Sequence, residues 1–569
     1  MRGGIITSYI VGKYTQSAFN YSDFAKASGK SIAQSNTVAS ESDYNDNATR
    51  YNGDFLATFS HKIAKDYSIK FIAGAQYTDK NSQSIGVGAS DLVIPDLYNV
   101  SNVSGVPNAS ESVGGDRQFG IFGDLTLGYK DYLFVHASGR RDEDSRLAPD
   151  NRKFFYPAVD ASFVFTDAIK ALKDKDILSS GKIRAGISKV YTVQIGDYSL
   201  QSTFGTGAGF PYGTTAGFTV GDAVYDPNLK PEQTVSKEIG LDLGFFHNRV
   251  TLETSYYFET TKDQEIVTGI NTSSATGFSN AIINTGSGQN QGIEVTIAAS
   301  PVLSLSNGFS WNLSVNYAYN ENKATSLYQG LPNLSIGNSN YIVVGESYPR
   351  LLGNDYNRDS KGRVIVNPIT GLPTVNNALV DFGQTNPKNI LGLTTSFTYK
   401  HFTLTGTGEL RTGAVVYNGF ASTLDFSGVS YTSAEAGRER FVYPNSVIET
   451  SPGVYTPNTN ITTNNGGGGF WADGIRDNVM SNYVTSADYF KIRELSLSYD
   501  FPQSLLKQTG FIKKASFALV GRNLFMFRPK SNIYTDPEIN VGTDNAQGVN
   551  NLNQTPPTRI YGFTLSVGF

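Results

Sequence analysis

Strict alternation of apolar and polar residues is the strongest pattern in this chain. Along residues 309–319 the odd positions carry Phe, Trp, Leu, Val, Tyr and Tyr, whereas the even positions carry Ser, Asn, Ser, Asn and Ala. The same two-residue period marks residues 239–245, 250–258, 495–501 and 561–569. Because successive side chains of a β-strand point to opposite faces, each segment is predicted to be a strand with one apolar and one polar face.

The connections between these strands alternate between short and long. Short turns are predicted at Lys65-Asp66, Lys130-Asp131, His247-Asn248, Asn307-Gly308 and Lys400-His401. Long polar stretches occupy residues about 80–115, 192–232, 263–288, 321–390, 414–488 and 524–557. Loops of that length are uncommon in compact soluble domains, whereas short turns on one side and long loops on the other are typical of outer-membrane barrels.

The predicted strands are roughly 9–13 residues long, against a usual length of about 5–6 in soluble proteins. We therefore predict an all-β fold, an antiparallel transmembrane β-barrel of about 16 strands with long extracellular loops and short periplasmic turns. The first strand is expected near Ile5–Lys13, and a short periplasmic helix is expected over Asp167–Ser180. The apolar positions expected to face lipid are Leu241, Leu243, Trp311, Leu313, Val315, Leu497, Tyr499, Phe563, Leu565 and Val567.

Composition and charge exclude several classes of function. The 569 residues carry a formal charge of −4, and only 17% of them are charged. A charge so close to zero argues against nucleic-acid binding, which requires a dense basic surface. The chain has no cysteine, which excludes disulfide frameworks, cysteine-ligated metals and cysteine nucleophiles.

Candidate catalytic and metal sites are weak. The four histidines are scattered along the chain without ligand spacing. Asp355, Asn357 and Asp359 have calcium-loop spacing, but Gly362 falls too late for an EF-hand turn, so a polar surface turn and a loop-bound Ca²⁺ both stay open. The carboxylate pairs Glu238/Asp242 and Glu253/Glu259 are interpreted as lumen lining. We predict no enzyme activity, no cofactor and no metal site.

A run of mixed charges lies at one predicted strand end, from Arg140 to Arg146. It is interpreted as a rim of mutually paired side chains, with a substrate-facing role as the alternative.

Several segments resemble SusC/RagA-type TonB-dependent outer-membrane transporters. They are RQFGIFGDLTLGYKDYLFVHASGRRD (117–142), DNRKFFYPAVDASFVFTD (150–167), LKPEQTVSKEIGLDLGFFHNRVTLETSYYFETTKD (229–263), NTGSGQNQGIEVTI (284–297), SADYFKIRELSLSYDFP (486–502) and GRNLFMFRPKSNIYTDPEIN (521–540). The terminal Phe569 is similar to the C-terminal aromatic residue of that family. These segments cover the chain from about residue 115 to its end.

The resemblance implies a barrel of about 22 strands preceded by a signal peptide, an N-terminal extension, a TonB box and a plug. None of these N-terminal parts is recognised in this sequence. We therefore expect residues 1–569 to be the C-terminal portion of a TonB-dependent receptor-like β-barrel. The expected location is the outer membrane of a Gram-negative bacterium related to the Bacteroidetes.

The resemblance also implies a function and partners. The expected function is TonB-dependent uptake of oligosaccharides or peptides. The implied partners are a SusD-like surface lipoprotein, TonB acting through a plug that lies outside this chain, and the barrel-assembly machinery. A passive sixteen-strand porin, and an outer-membrane adhesin or enzyme that uses the long loops, stay as alternatives.

The candidate substrate-binding residues are aromatic side chains in the long loops, where their flat faces lie among amides and hydroxyls that suit sugar rings or extended peptides. They are Tyr198, Phe210, Tyr212, Tyr341, Tyr348, Tyr431, Phe470 and Trp471, and Phe204 lies among them. For each residue taken alone, packing between loops is the alternative role. Phe569 and its strand are predicted to be the signal read by the barrel-assembly machinery, and that strand is predicted to close the barrel.

Overall fold

The described part of the protein is mostly antiparallel β-structure, with a few short helices and three short parallel pairings. The computed structural model describes residues 2–23, 36–172, 177–206, 210, 212–266, 275, 277–278, 280–304, 308–435, 437, 439–463, 468–472, 475–542, 547–555 and 557–569. The chain divides into two compact units. The first unit comprises Met1–Val159, Ser188–Gln233 and Asp263–Asn284, and the second comprises Asp160–Ile187, Thr234–Lys262 and Thr285–Phe569.

The strands up to residue 304 are β1 (Arg2–Gln16), β2 (Ser40–Ala64), β3 (Tyr67–Ser90), β4 (Asn108–Tyr129), β5 (Leu133–Asp144), β6 (Lys153–Phe163), β7 (Leu178–Thr192), β8 (Phe204–Thr206), β9 (Phe218–Val220), β10 (Ala223–Tyr225), β11 (Glu232–Phe245), β12 (Val250–Ile266) and β13 (Asn280–Ser304).

The remaining strands are β14 (Phe309–Leu327), β15 (Asn333–Gly337), β16 (Asn340–Val343), β17 (Arg350–Tyr356), β18 (Val364–Ile365), β19 (Val375–Gln384), β20 (Asn389–Tyr399), β21 (Phe402–Thr412), β22 (Val415–Asn418), β23 (Ser446–Ser451), β24 (Val454–Pro457), β25 (Val484–Ser486), β26 (Tyr489–Asp500), β27 (Lys514–Phe527), β28 (Val549–Asn550) and β29 (Ile560–Gly568).

The described helices are α1 (Phe165–Ala168), α2 (Gly419–Phe426), α3 (Gly468–Trp471) and α4 (Gln503–Leu506), with short 3-10 turns between strands. Within the ranges that the structure describes, no helix is long and apolar enough to cross a bilayer.

The first unit is built on strands β1 to β5, which pair antiparallel in chain order. The predicted first strand is confirmed and is slightly longer than expected. The turn at Lys65-Asp66 is also confirmed, because β2 ends at Ala64 and β3 begins at Tyr67. Leu147, Phe154, Ile195 and Leu229 form a buried cluster where the following segments pack.

The second unit contains an antiparallel ladder in the order β13, β14, β20, β21, β26, β27 and β29. Its register aligns the predicted apolar positions Trp311 and Leu497 with two further apolar side chains: Trp311 pairs with Phe397, which pairs with Leu404, which pairs with Leu497. Trp311 and Phe397 stack with their ring centroids 5.6 Å apart. The alternation therefore builds one continuous apolar face, and its exposure to lipid stays a prediction.

Two expectations about element boundaries were wrong. The stretch 80–115 is mostly strand, because β3 continues to Ser90 and β4 begins at Asn108. The expected helix over Asp167–Ser180 is displaced: α1 begins at Phe165, a 3-10 turn follows at Lys170–Leu172, and β7 begins at Leu178. The long stretches also contain small sheets of their own. Asn307, in the predicted Asn307-Gly308 turn, lies outside the described residues.

The extension of β3 and β4 into the expected loop has a physical cause in backbone pairing. Strand pairing satisfies every backbone N–H and C=O, so a ladder extends wherever a neighbour continues, even when its side chains no longer alternate. The ladder between β2 and β3 runs in one register from the pair Ser40–Ser90 to the pair Lys62–Ser68, with one irregularity before the turn.

Candidate functional site

The candidate site is built from the long connections of the second unit. We define the loop assembly as residues 328–388, 413–488 and 528–559, which join β14 to β20, β21 to β26 and β27 to β29. Within it, β15, β16, β17 and β19 form one sheet, β23 pairs with β18 and β24, and β22 lies between β25 and β28. The three connections are therefore folded together rather than extended separately into solvent.

Buried asparagines link the three connections. Asn418 is fully buried and donates its amide to the backbone carbonyl of Tyr483 over 3.1 Å. Asn550, also fully buried, donates to the side-chain oxygen of Asn418 over 3.1 Å. Asn340 donates to the carbonyl of Gln547 over 3.0 Å. Buried amides whose donors are satisfied in this way fix one arrangement of the loops.

Asp425 organises the middle connection from the end of α2. Its carboxylate is 0% exposed and accepts hydrogen bonds from Ser430, Thr432 and Tyr483. The Arg476 guanidinium lies 2.8 Å from it. Burial alone would raise the pKa of Asp425, but the bond from Ser430 and the charge of Arg476 outweigh burial and hold that pKa below its ordinary value.

A second ionic cluster ties the last connection to the strands β21 and β26. Lys491 is buried and its ammonium lies 2.7 Å from both carboxylate oxygens of Asp536. It also contacts Glu538, which binds Arg493 as well. Burial would raise the pKa of Glu538, but the hydrogen bonds from Arg493 and Lys491 outweigh it and hold the pKa well below its ordinary value.

This second cluster joins two of the segments that carry the family resemblance. Lys491 and Arg493 lie in residues 486–502, and Asp536 and Glu538 lie in residues 521–540. Sequence reasoning noted both segments but missed that they meet, and it missed Asp425 and Arg476 entirely. A cavity of about 310 Å³ lies beside the cluster and is lined in part by Arg493, Glu538 and Arg559.

The structure distributes the predicted aromatic residues unevenly in the second unit. Phe470 is 2% exposed and packs against Phe441 at 5.2 Å between centroids. Trp471 is 8% exposed and carries Arg476 over its ring at 4.9 Å. Tyr431, by contrast, is 80% exposed on the turn that Asp425 holds.

Tyr341 and Tyr348 are partly exposed, and the backbone of Tyr348 is bound on both sides by Asn322. In the first unit, Tyr198, Phe204, Phe210 and Tyr212 are all exposed, Tyr212 at 81%. The substrate-binding roles of the eight candidate aromatic residues stay predictions. Phe470 and Trp471 are buried, and their rings pack against neighbouring side chains of the loop assembly.

The two carboxylates with calcium-loop spacing are each paired with an arginine. Asp355 pairs with Arg358 at 2.9 Å, and Asp359 pairs with Arg363 at 2.7 Å. In the part of the chain that the structure describes, no three His, Asp or Glu side chains are placed to share a metal ion.

Two of the three remaining sets of candidate charges are also paired, the exception being Glu253/Glu259. Glu238 and Asp242 are paired with Arg184 and Lys182. The run from Arg140 is paired partly within itself, Arg140 with Asp142 at 2.7 Å, and partly with residues that follow it, Glu143 with Arg152 at 2.7 Å.

Phe569 is exposed at the end of the last strand and stacks on Phe511 at 6.0 Å between centroids and 7° between planes. This contact fixes the position of the terminal ring beside the preceding turn. Its role in assembly stays a prediction.

A family model described as TonB dependent receptor-like, beta-barrel matches residues 7–524. The chain belongs to the TonB-dependent receptor-like β-barrel family. The family confirms the predicted barrel fold and outer-membrane location in a Gram-negative bacterium. It is a family of receptors and transporters and not a family of enzymes.

Curated relatives give the type within the TonB-dependent receptor family. The chain is 24% identical over 545 residues to TonB-dependent receptor P39 of Formosa agariphila, covering 85% of this chain and 46% of that protein. It is 25% identical over 437 residues to TonB-dependent receptor SusC of Bacteroides thetaiotaomicron, covering 73% of this chain and 40% of that protein. The chain thus spans less than half the length of these relatives.

A solved structure agrees with the fold. The RagAB peptide importer in its closed-closed state superposes with a TM-score of 0.75 at 16% identity, covering 100% of this chain and 59% of that chain. The predicted resemblance to SusC/RagA-type TonB-dependent receptors is confirmed.

Proposed function

We propose that this chain forms the barrel and extracellular loops of a TonB-dependent transporter that imports an oligosaccharide or a peptide. The observation that carries the proposal is the family match over residues 7–524 together with a loop assembly that is folded at the extracellular strand ends. Such a surface binds and positions a solute, while most of the charges described above are engaged in pairing and supply no bond chemistry.

The proposal includes the partners implied by the resemblance. A SusD-like surface lipoprotein covers the loops, TonB acts through a plug outside residues 1–569, and the barrel-assembly machinery inserts the chain. The structural neighbour RagAB is a peptide importer, which supports a peptide as one candidate substrate. That residues 1–569 are the C-terminal portion of a longer transporter is part of this proposal.

The decisive experiment measures energised uptake in cells. The gene that contains this chain is deleted and restored, and the uptake of labelled oligosaccharide and peptide mixtures is followed in strains with and without TonB. We expect uptake to require both the restored gene and TonB. Uptake that continues without TonB would support the alternative that the protein is a passive porin. A porin of that kind should also purify as a trimer.

The partner is tested separately by tagging the chain in the outer membrane. A surface lipoprotein encoded beside it should co-purify in a fixed ratio and should be lost when its own gene is deleted. Full uptake in a strain without that lipoprotein would show that the lipoprotein is not required for transport.

A further inference from the structure

Strands β2 to β5 of the first unit carry an apolar face of their own. Apolar residues alternate with polar ones along these strands, and the register aligns them, from the pair Tyr67–Tyr129 at one end to the pair Tyr77–Phe119 at the other. Their side chains are exposed, that of Phe119 at 48%. In an outer-membrane barrel an exposed apolar face of this kind meets lipid.

The height of this face places it against the bilayer. Tyr129 lies beside the short turn at Lys130-Asp131, and Phe119 lies ten residues earlier on the same strand. At the usual rise and tilt of barrel strands, that distance covers roughly 25 Å of membrane depth, which matches the apolar band of such barrels. Because the short turns are periplasmic, Phe119 lies at the extracellular border of the band.

Basic side chains collect on the same face at this extracellular border. Arg141 pairs in register with Ile121, and Arg117 lies two residues beyond Phe119 along β4. Two further cations reach the border from the start of β6. We call these four side chains the basic rim, and its members are Arg117, Arg141, Arg152 and Lys153.

Two carboxylates neutralise only part of the basic rim. Asp79 lies 3.0 Å from Arg117. Glu143 lies 2.7 Å from Arg152 and 3.8 Å from Lys153, so it is shared between two cations. Four cations against two carboxylates leave the rim with an excess of two positive charges.

Arg141 is the member of the rim without an ion-pair partner among the residues that the structure describes. Its side chain is exposed, and its neighbours across the strands on this face are Ile121 and then Ala75. One position nearer the turn, the ring of Phe155 packs over Gly139, where an added Cβ would meet it at 2.9 Å. A guanidinium among apolar side chains near a membrane border extends towards the headgroups, where a counter-charge is available.

A shallow groove crosses the apolar face below the rim. Ala57 pairs with Ala73, and Ala73 pairs with Gly123, so three small residues lie in one row. The rows on either side carry larger side chains, such as Phe71 and Ile121. A Cβ added to Gly123 would meet no atom closer than 3.8 Å, which leaves space there for a hydrocarbon chain.

We propose that the basic rim binds the phosphate of a glycolipid in the outer leaflet, with Arg141 as the principal contact and an acyl chain in the groove below. Phosphorylated glycolipids of the lipid A type are the anionic lipids of that leaflet. Guanidinium groups bind phosphate through paired N–H donors, and basic clusters beside a membrane-spanning surface attract anionic headgroups. This inference goes beyond the transport function and does not depend on the transported solute.

The test measures how tightly the purified chain binds this lipid. The full chain is extracted from outer membranes, exchanged into lipid-free detergent and titrated with monophosphoryl lipid A, and native mass spectrometry counts the bound lipid. Arg141→Gln removes the charge but keeps a polar side chain at an exposed position, so folding should be unaffected. Lys130→Gln is the matched control, because it removes a partly exposed cation at the opposite end of β4.

We expect Arg141→Gln to bind monophosphoryl lipid A about tenfold more weakly than the natural chain, because a charge-assisted bond to phosphate is lost. Lys130→Gln should bind it unchanged, and lipid A without its phosphate should bind the natural chain as weakly as it binds Arg141→Gln. Equal binding by all three proteins, or equal binding of the two lipids, overturns the proposal. Displacement of the lipid by inorganic phosphate at the same concentration would identify a site for free anions and would overturn the glycolipid as its ligand.

A second measurement reports on the apolar face in a bilayer. The chain has no cysteine, so Ala75→Cys carries a single spin label beside Ile121, and Val135→Cys carries one near the periplasmic end of the same face. Phosphatidylcholine vesicles with lipid A should immobilise the label on Ala75→Cys more than vesicles without it, and the label on Val135→Cys should not respond.

Adding Arg141→Gln to Ala75→Cys should abolish this difference between the two kinds of vesicle. Immobilisation that persists without Arg141, or that never occurs with it, overturns the proposal. Neither measurement involves TonB or a transported solute. Failure here with normal cellular uptake therefore refutes the lipid site alone and leaves the transport function standing.

Discussion

Two polar surfaces, one in each unit, are built on the same kind of ladder but with different chemistry. In the first unit, His136 on β5 lies 2.7 Å from Asp124 on β4, and Arg146, just after β5, lies 2.7 Å from Asp144. In the second unit, a patch across β14, β20 and β21, which we call the hydroxyl band, carries Ser310, Ser314, Ser396, Thr398 and Thr403 in place of charges, and ionic pairs of that unit such as Glu494 with Arg522 lie outside it. Ionic pairs satisfy one another and fix their partners, whereas hydroxyls keep spare bonding capacity. Strand register alone does not determine whether a face is ion-paired or keeps free hydrogen-bonding groups. The chemistry of its side chains determines this.

The largest expected effect comes from breaking a pair in the first unit. Asp144→Ala removes a buried carboxylate from the partly exposed Arg146 guanidinium, which should cost about 3 kcal/mol of unfolding free energy, the lower end of the range for buried pairs. Thr398→Val in the band should cost less than about 1 kcal/mol. Denaturant unfolding of both variants in detergent measures the contrast. Similar losses would mean that the two faces do not differ in this way.

The next effect tests which face of the second unit meets lipid. Leu313→Arg places a charge on the apolar face and should cost about 2–4 kcal/mol near the bilayer midplane. Ser314→Arg, one residue further on the band side, should be much milder. Refolding titrations into lipid vesicles compare the two. Equal destabilisation would show that the faces have been assigned wrongly.

A smaller effect separates exposed loop aromatics from buried ones. Tyr431→Ala and Tyr212→Ala remove side chains that are 80% and 81% exposed, so folding should be unaffected. If these rings bind substrate, uptake should fall about fivefold, equivalent to one lost stacking contact. Trp471→Ala is the contrasting variant, since it should disrupt the loop assembly itself. Normal uptake by both tyrosine variants would show that Tyr431 and Tyr212 do not bind substrate.

The smallest effect concerns pH. Because the pKa of Glu538 is lowered by folding, its stabilising contribution is complete above its ordinary value of 4.5 and is lost as the pH falls further. A spin label on Ser531→Cys should keep its mobility from pH 7 to about 5 and gain mobility below about pH 4. A label on Ser396→Cys in the band should not respond. A response only above pH 5 would contradict the assignment.

The strands were predictable wherever one face is apolar. The alternation over residues 309–319 located β14, and that over 561–569 located β29, because burial in lipid demands a two-residue period. The upper part of β3, to Ser90, escaped prediction because residues 80–84 are polar on both faces. These polar residues separate the short alternation of Ile85, Val87 and Ala89 from the apolar positions earlier in the strand, so in a single sequence it does not stand out as a continuation of β3.

The candidate site was less predictable than the fold. Its aromatic residues could be named, but burial of Phe470 and exposure of Tyr431 depend on which distant segments meet. Asp425 and Arg476 are 51 residues apart, and nothing local distinguishes them from other loop charges. Lys491 and Glu538 lay in segments already recognised, so the missing information was only that the two segments touch.

The bond from Asn550 to Asn418 has a consequence for the order of events during biogenesis. It joins residues 132 positions apart, and β28 completes the small sheet beside β22. The backbone of the middle connection is therefore fully paired only after the last connection has reached it. Contacts of such long sequence separation form slowly. We therefore expect the loop assembly to mature later than the local strand pairs of the second unit, such as β20 with β21.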